Sequence, residues 1–260
     1  MPRFAANLSM LFNEHPFMDR FAAAAAAGFK GVEYLFPYAE NRDALANALA
    51  HNGLTQVLFN LPPGNWEAGE RGIACLPDRV GEFQDGVGHA IDYARALGCK
   101  QVNCLSGIIP AGASPDKMRE TIIANLRFAY HALKDAGVRL IVEPINFYDM
   151  PGFYLNRSQQ ALDLFDATGC DIGLQYDIYH MQRMEGEIAD TIRRILPRIA
   201  HIQIADTPGR NEPGTGEINY PFLFAHLDSL GYTGWVSCEY RPAAGTVEGL
   251  GWLRNIGGLS

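Results

Sequence analysis

The chain of 260 residues carries a formal net charge of −8, with 21 basic and 29 acidic residues, and 48% of its residues are hydrophobic. Such a balance provides no basic field for a phosphate backbone, so we expect no nucleic-acid partner. Because no apolar run approaches the ~20 residues of a membrane span, and the first residues are too polar for a secretory signal, we expect no membrane partner. Length and composition suit one globular domain over residues 1–260.

The five cysteines are odd in number, show no CxxC spacing and lie mostly in apolar runs. In such runs cysteine behaves as a small hydrophobic residue, which favours the reducing cytoplasm as the compartment. The oligomeric state does not follow from the sequence, and a homo-oligomer is compatible with it.

Strand-like and helix-like patterns alternate along the whole chain. The predicted strands span residues 3–8, 31–36, 54–60, 101–106, 139–145, 172–178, 199–205 and 234–240. The segments between them, from FMDRFAAAAAA to VEGLGWLRN, show helical periodicity. This alternation predicts an α/β fold, a single-domain (β/α)8 TIM barrel, for which about 250 residues are typical. The alternative, a doubly wound open sheet, normally carries a Gly-rich phosphate loop after its first strand, and this chain has none there.

Four predicted strands in the second half of the chain each end near one metal-capable side chain. The segments LIVEP, GLQYD, HIQIAD and WVSCEY contain Glu143, Asp177, Gln203 and Glu239, which are 34, 26 and 36 residues apart. Since residues two apart in a strand point the same way, the apolar neighbours face the helices and these four face the lumen. The carboxyl ends of parallel barrel strands open on one face, so the four side chains should converge.

Buried carboxylates need a cation, a shared proton or a basic partner. Three carboxylates and one amide oxygen form a hard, oxygen-rich set that suits Mg²⁺ or Mn²⁺ better than structural Zn²⁺. We therefore predict a divalent metal site made by Glu143, Asp177, Gln203 and Glu239. The alternative is that some of these acids pair with arginines at the rim of the barrel.

Residues beyond the sixth and seventh strands are candidates for substrate contact. His180 follows Asp177 by three residues, and we interpret it as a substrate contact, with ligation of the metal or orientation of Asp177 as alternatives. Arg210 lies in the loop after the seventh strand, where an arginine can hold a substrate carboxylate. His201 lies one layer deeper than Gln203 and is interpreted as a core histidine.

Two further candidates lie near the ends of the second and third strands. Glu33 ends the second strand and is predicted to be a supporting or lid contact for the substrate. Trp66 lies in the long segment NLPPGNWEAGERG with Glu67 and Arg71, and these three residues are predicted to fold over the mouth of the barrel. A purely structural rim loop is the alternative.

The predicted strand order places Glu143 and Glu239 on different sides of the lumen. A cation that binds an α-hydroxycarbonyl compound acidifies the C–H between its oxygens by stabilising an enediolate. One glutamate can then remove a proton while the other returns one to the adjacent carbon. The residues therefore predict aldose–ketose isomerisation, or epimerisation if the proton returns to the same carbon.

The chain resembles the sugar isomerase and epimerase barrels related to xylose isomerase. The resemblance covers almost the whole chain and rests on the ordered segments RFAANLSMLF, NLPPGNWEAGERGIACLP, EPIN, QYDIYHMQRMEGE, HIQIAD, EPGTGEINY and CEYRP. It implies that Glu143 and Glu239 are the catalytic proton donor and acceptor, and that Asp177 and Gln203 complete the metal set. Many relatives carry histidine at the position of Gln203, which bears on metal affinity here.

The substrate follows from the resemblance alone. It implies a small hydroxy-oxo acid, with hydroxypyruvate converted to tartronate semialdehyde as one step of glyoxylate metabolism. A similar branch of the family isomerises the four-carbon 2-oxotetronate. The segments GERGIACLP and YDIYHMQRMEGE favour hydroxypyruvate.

Two other functional classes remain open. A phosphodiester-cleaving barrel needs several zinc-binding histidines and a basic face for DNA, and the net charge of −8 argues against it. A non-catalytic sugar-acid binding protein would keep the pocket without needing two opposed glutamates.

Overall fold

The computed structural model describes residues 2–258, which form a closed barrel of parallel strands. The strands are β1 (Arg3–Asn7), β2 (Gly31–Glu33), β3 (Thr55–Asn60), β4 (Gln101–Cys104), β5 (Arg139–Val142), β6 (Gly173–Asp177), β7 (Ile199–Ile204) and β8 (Trp235–Cys238). Each strand pairs with the next along the chain, and β8 pairs with β1.

Helices cover the outside of the barrel. They are α1 (Arg20–Ala26), α2 (Arg42–His51), α3 (Val80–Leu97), α4 (Pro115–Asp135), α5 (Ser158–Thr168), α6 (Ile178–Met184), α7 (Ile188–Ile195), α8 (Tyr220–Ser229), α9 (Thr246–Gly249) and α10 (Gly251–Asn255). Short 3₁₀ turns occupy Phe17–Asp19, Pro77–Arg79 and Leu196–Arg198. Within residues 2–258 no helix has the length and apolar character to cross a bilayer.

The predicted (β/α)8 barrel is confirmed, and all eight predicted strands are present. Several strands end earlier than predicted, so that Glu143 and Glu239 lie one residue beyond β5 and β8. The alternation of side chains continues past the last ladder hydrogen bond, which is why the pattern overestimates strand length. Both glutamates therefore occupy the first position of a loop at the carboxyl face.

Apolar side chains form two separate layers that confirm the predicted facing of the strands. Residues such as Val142 and Ile204 belong to the large core between strands and helices. Ala5, Val57 and Ile141 form a small separate cluster with Ala200 and Trp235, all of them strand residues. This cluster fills the lumen below the level of the loops, so the polar residues gather above it at the carboxyl face.

Helix α6 was not predicted, and it begins directly where β6 ends. Asp177 Oδ1 accepts the backbone N–H groups of Tyr179 at 2.8 Å and His180 at 3.4 Å. Such an N-terminal cap typically contributes about 1 kcal/mol to helix stability. Because this one residue both ends a strand and caps a helix, His180 is held in the first turn, beside the carboxylate of Asp177.

Candidate active site

The carboxyl ends of the strands open into a cavity of about 570 Å³, a size in the range of small-molecule sites. Of the eight predicted site residues, seven line it, namely Glu33, Trp66, Glu143, His180, Gln203, Arg210 and Glu239. The eighth, Asp177, is fully buried behind the wall. The structure thus brings residues from distant parts of the chain to one cavity.

Three carboxylates meet at the base of this cavity, where Glu143 and Glu239 line it and Asp177 lies just behind them. One oxygen from each of Glu143, Asp177 and Glu239 and one ring nitrogen of His180 lie within 4.8 Å of one another. All four side chains are buried. Within residues 2–258, Glu143 Oε1 and Asp177 Oδ2 accept no hydrogen bond. Buried carboxylate oxygens without a donor are costly, and a metal ion is one partner that such a group can hold.

His180 faces the carboxylates with Nε2, which is 3.7 Å from Glu143 Oε1 and 3.5 Å from Asp177 Oδ2. Its other ring nitrogen, Nδ1, lies 2.6 Å from Asn146 Nδ2. Asn146 is oriented by the N–H of Asp149, which donates to Asn146 Oδ1 at 2.9 Å. Nδ1 therefore accepts a hydrogen bond, and in the neutral ring Nε2 carries the proton. Burial and the nearby arginines hold the pKa of His180 well below its usual value, so the ring presents a neutral N–H donor.

Arg210 reaches the base of the cavity from the loop after β7. Its Nη2 donates to Glu239 Oε2 at 2.6 Å and lies 3.6 Å from Asp177 Oδ2. The backbone of Arg210 has φ of 55°, an uncommon conformation for a residue with a Cβ. One guanidinium thus faces three carboxylates, so the site keeps a negative excess when all three acids are ionised. The pairing of a predicted metal residue with an arginine, left open above, occurs at Glu239.

The pKa values of all three acids are raised above those of ordinary carboxyl groups. Burial, together with repulsion from Glu239 and Asp177, raises the pKa of Glu143 well above its usual value. Burial raises the pKa of Glu239 to about 8, although Arg210 opposes the shift. Burial likewise raises the pKa of Asp177 to about 6. Carboxyl groups with pKa values near the working pH are suited to accept and return protons.

Gln203 lies beside Asp177 in the paired strands β7 and β6. Its amide is engaged on both sides, because Oε1 accepts from Gln175 at 2.5 Å and Nε2 donates to Glu33 Oε1 at 2.7 Å. Glu33 also contacts His201 Nε2 at 2.8 Å. His201 is buried, as expected of a core residue. The role of Gln203 as a metal ligand stays a prediction, and the Glu33 carboxylate lines the cavity while it is hydrogen-bonded to Gln203 and His201.

Asn7, which the sequence analysis did not single out, connects Glu33 to Glu239. Its Nδ2 donates to Glu33 Oε1 and to Glu239 Oε1, at 3.0 Å each. The N–H of Ser9 donates to Asn7 Oδ1 at 3.0 Å and so fixes the orientation of the amide. Asn7 ends β1, and side-chain alternation along that strand predicts an inward-facing polar residue at its carboxyl end.

At the mouth of the cavity, Trp66 packs edge-on against Phe36, with ring centroids 5.0 Å apart. The guanidinium carbon of Arg71 lies 3.9 Å from the centroid of the Trp66 ring. Arg71 also lines the cavity, whereas Glu67 is exposed and does not. The segment between β3 and α3 therefore supplies an aromatic wall and a cation.

Known proteins resemble this chain over nearly its full length. The family model described as Xylose isomerase-like TIM barrel matches residues 21–256. The hydroxypyruvate isomerase of Escherichia coli (strain K12) is 53% identical over 254 residues, which are 97% of this chain and 98% of that relative. The 2-oxo-tetronate isomerase of Cupriavidus necator is 51% identical over 255 residues, or 98% of each chain.

Solved structures include one described as AP endonuclease, family 2, from Brucella melitensis. It matches with a TM-score of 0.96 at 46% identity and covers 98% of this chain and 99% of that one. The family match includes β2 to β8 and every predicted site residue. On this evidence, the chain belongs to the xylose isomerase-like TIM barrel family.

Proposed function

We propose that this protein is an intramolecular oxidoreductase that interconverts hydroxypyruvate and 2-hydroxy-3-oxopropanoate (tartronate semialdehyde). The observation that carries the proposal is the pair Glu143 and Glu239, which face one cavity with oxygens within 4.8 Å of each other. The pKa of each is raised, that of Glu239 to about 8, and a carboxyl group with a pKa near the working pH is suited to proton transfer.

The reaction needs only proton movements. One glutamate takes a proton from C3 of hydroxypyruvate, and the electron pair forms the C2–C3 double bond of an enediol(ate). A proton is then added to C2, and the oxygen at C3 becomes the aldehyde as its hydroxyl proton is transferred to the oxygen at C2. Glu143 and Glu239 are the groups that remove the proton from C3 and add the proton to C2. The Nε2–H of His180 donates to a substrate oxygen.

The donor set fits a divalent cation such as Mg²⁺ or Mn²⁺. Glu143 and Asp177 offer oxygens without hydrogen-bond donors, and Glu239 offers a third carboxylate to the same space. Gln203 is the predicted fourth ligand, and it would exchange its hydrogen bond with Gln175 for the metal. When bound, the cation supplies stabilisation of negative charge on the substrate oxygens.

The second candidate is isomerisation of 2-oxotetronate, favoured by the similar relative from Cupriavidus necator. This acid differs from hydroxypyruvate by one hydroxymethyl group at C3, and the same transfer from C3 to C2 would isomerise it. A cavity of about 570 Å³ has room for either acid, so its volume does not discriminate between them. The segments GERGIACLP and YDIYHMQRMEGE are the features that favour hydroxypyruvate.

A proton NMR time course in D₂O tests the proposal. Purified protein is incubated with hydroxypyruvate or with 2-oxotetronate, with and without EDTA. We expect tartronate semialdehyde to appear together with deuterium at the reacting carbon, and EDTA to suppress both. Turnover of the four-carbon acid alone would transfer the assignment to the second candidate, and no exchange with either acid would refute the proposal.

The endonuclease and binding-protein classes are less well supported. The metal-capable cluster found within residues 2–258 contains one histidine, and the net charge is −8. Neither suits a zinc nuclease that binds DNA.

We also propose a cytoplasmic location and a step of glyoxylate metabolism; the five free cysteines support the reducing compartment.

A further inference from the structure

We propose that Arg71 binds the carboxylate of the substrate, which places an anion subsite at the mouth of the cavity on the segment between β3 and α3. The inference rests on the proposed function, because it assigns the anionic end of a 2-oxo acid. It replaces the sequence-based assignment of this role to Arg210.

An anionic substrate that enters a cavity floored by acids needs an available positive charge. The positive charge of Arg210 is already compensated, since its Nη2 lies 2.6 Å from Glu239 and 3.6 Å from Asp177. The charge of Arg183 is also compensated, because it pairs with Asp149 at 2.7 Å. Neutralised arginines attract an additional carboxylate weakly, so neither is suited to recognise it.

Two arginines that line the cavity remain, Arg71 and Arg241, and neither has an ion pair with a carboxylate among residues 2–258. Arg241 is exposed, and its side chain makes no hydrogen bond within the described part of the chain. Arg71 is half-buried. Charge interactions are stronger away from bulk water, which favours Arg71.

The guanidinium of Arg71 is held in place while two of its nitrogens stay available. Nη1 donates to the carbonyl oxygens of Trp66 at 3.0 Å and Glu70 at 2.7 Å. The ring of Trp66 covers one face at 3.9 Å. Nε and Nη2 make no hydrogen bond to any residue of the described range. These two donors share one edge of the guanidinium, the edge that binds both oxygens of a carboxylate.

The segment that carries Arg71 is itself fixed. Glu70 pairs with Arg79 at 2.6 Å and accepts the backbone N–H of Asn65. The N–H of Gly72 donates to Pro63 O at 2.9 Å. A cation positioned before the substrate arrives loses little conformational freedom on binding, so more of the interaction energy appears as affinity.

The test compares Arg71→Gln and Arg71→Lys with the parent enzyme on two substrates. Hydroxypyruvate carries the carboxylate, and dihydroxyacetone has a neutral hydroxymethyl group in its place. For Arg71→Gln we expect KM for hydroxypyruvate to rise by about 10- to 100-fold, as for a lost charge-assisted contact. We expect kcat, and the rate of C–H exchange of dihydroxyacetone in D₂O, to stay within about threefold of the parent. Arg71→Lys keeps the positive charge but lacks the paired N–H donors of a guanidinium, so its KM for hydroxypyruvate should lie between those of the parent and Arg71→Gln.

Arg241→Gln is the matched control, and we expect its KM for hydroxypyruvate to stay within about threefold of the parent. An unchanged KM in Arg71→Gln, or an equal loss with dihydroxyacetone, would overturn the inference. Should Arg71→Gln fail to fold by circular dichroism, Arg71→Lys decides alone, and an unchanged KM for hydroxypyruvate, or an equal rise in KM for both substrates, would refute the subsite.

Calorimetric binding of pyruvate, a 2-oxo acid without the 3-hydroxyl group, separates this inference from the proposed function. If the parent isomerises neither acid, the proposed function fails. Pyruvate binding that is lost in Arg71→Gln and kept in Arg241→Gln would still support the subsite. Absence of pyruvate binding by the parent, or equal binding by parent and Arg71→Gln, would refute the subsite as well.

Discussion

Arg210 Nη2 donates to Glu239 Oε2 at 2.6 Å, and this ion pair distinguishes the two glutamates of the site. The other oxygen of Glu239 accepts from Asn7 at 3.0 Å. Glu143 has no comparable partner, since its Oε1 accepts no hydrogen bond from any residue of the described range. The two acids therefore meet the substrate in different electrostatic environments, with Glu239 oriented by the protein and Glu143 free to contact a ligand.

Replacement of either glutamate by glutamine should remove catalysis without removing the site. We expect Glu143→Gln and Glu239→Gln each to lower kcat by about 10²- to 10⁴-fold, because each loses one proton-transfer group. Pyruvate binding should change little, since glutamine keeps the size of the side chain. The rate of deuterium incorporation measures the effect. A variant that exchanges at the parental rate would show that its glutamate is not catalytic, as expected of a binding protein.

Divalent cations should stabilise the fold, and more strongly at pH 8 than at pH 6. The raised pKa values of Glu143, Asp177 and Glu239 mean that protons compete with the cation as the pH falls. Differential scanning fluorimetry of EDTA-treated protein, with and without Mn²⁺ or Mg²⁺, measures the shift in Tm at both pH values. Asp177→Asn should reduce the shift. A Tm that does not respond to either cation would contradict a metal site.

Asn7 should act as a positioning residue for Glu239. Asn7→Ala removes the donor that Glu33 and Glu239 share, and leaving buried acceptors without it should cost about 1–3 kcal/mol of unfolding free energy. We expect kcat to fall about tenfold, as for lost support of a functional side chain, with a much smaller change in KM. Asn13→Ala is the control, because Asn13 makes an exposed hydrogen bond to Met10 O at 2.9 Å. A purely structural role would lower stability in Asn7→Ala and leave kcat unchanged.

The buried pair of Glu33 and His201, 2.8 Å apart, should show strong energetic coupling. His201→Leu leaves the Glu33 carboxylate without this partner, which should cost about 3–5 kcal/mol of unfolding free energy. Adding Glu33→Gln removes the unpaired charge, so the double variant should be more stable than His201→Leu alone. Urea denaturation of the two single variants and the double variant gives the coupling energy. Additive losses would show that the two side chains do not interact.

Gly72 and Gly69 offer a matched pair for testing the segment that carries Arg71. Both have positive φ, 101° and 93°, so alanine introduces comparable backbone strain at each. A Cβ on Gly72 would clash with the carbonyl oxygen of Leu105, whereas one on Gly69 meets open space. Gly72→Ala should therefore cost about 1–3 kcal/mol more than Gly69→Ala in unfolding free energy and raise KM for hydroxypyruvate further. Equal Tm and KM values in the two variants would contradict this account of the segment.

The sequence by itself determined the barrel and the convergence of the three acids. Alternation within strands has a period of two, and parallel strands in chain order open on the same face. Those two regularities place Glu143, Asp177 and Glu239 together. Elements that depend on repeated local patterns are therefore predictable from a single chain.

Only the tertiary structure decided which side chains these acids contact. The amide of Gln203 hydrogen-bonds Glu33, 170 positions away, and Asn7 reaches Glu239 across 232 positions. Helix α6 and the place of His180 follow from the cap that Asp177 provides where its strand ends. Local periodicity carries no information on such pairings, because they depend on how rotamers and loops fit when all eight strands have closed. The tertiary structure also decided that Arg210 is paired with carboxylates and Arg71 is not, because pairing depends on which carboxylates lie within reach of each guanidinium.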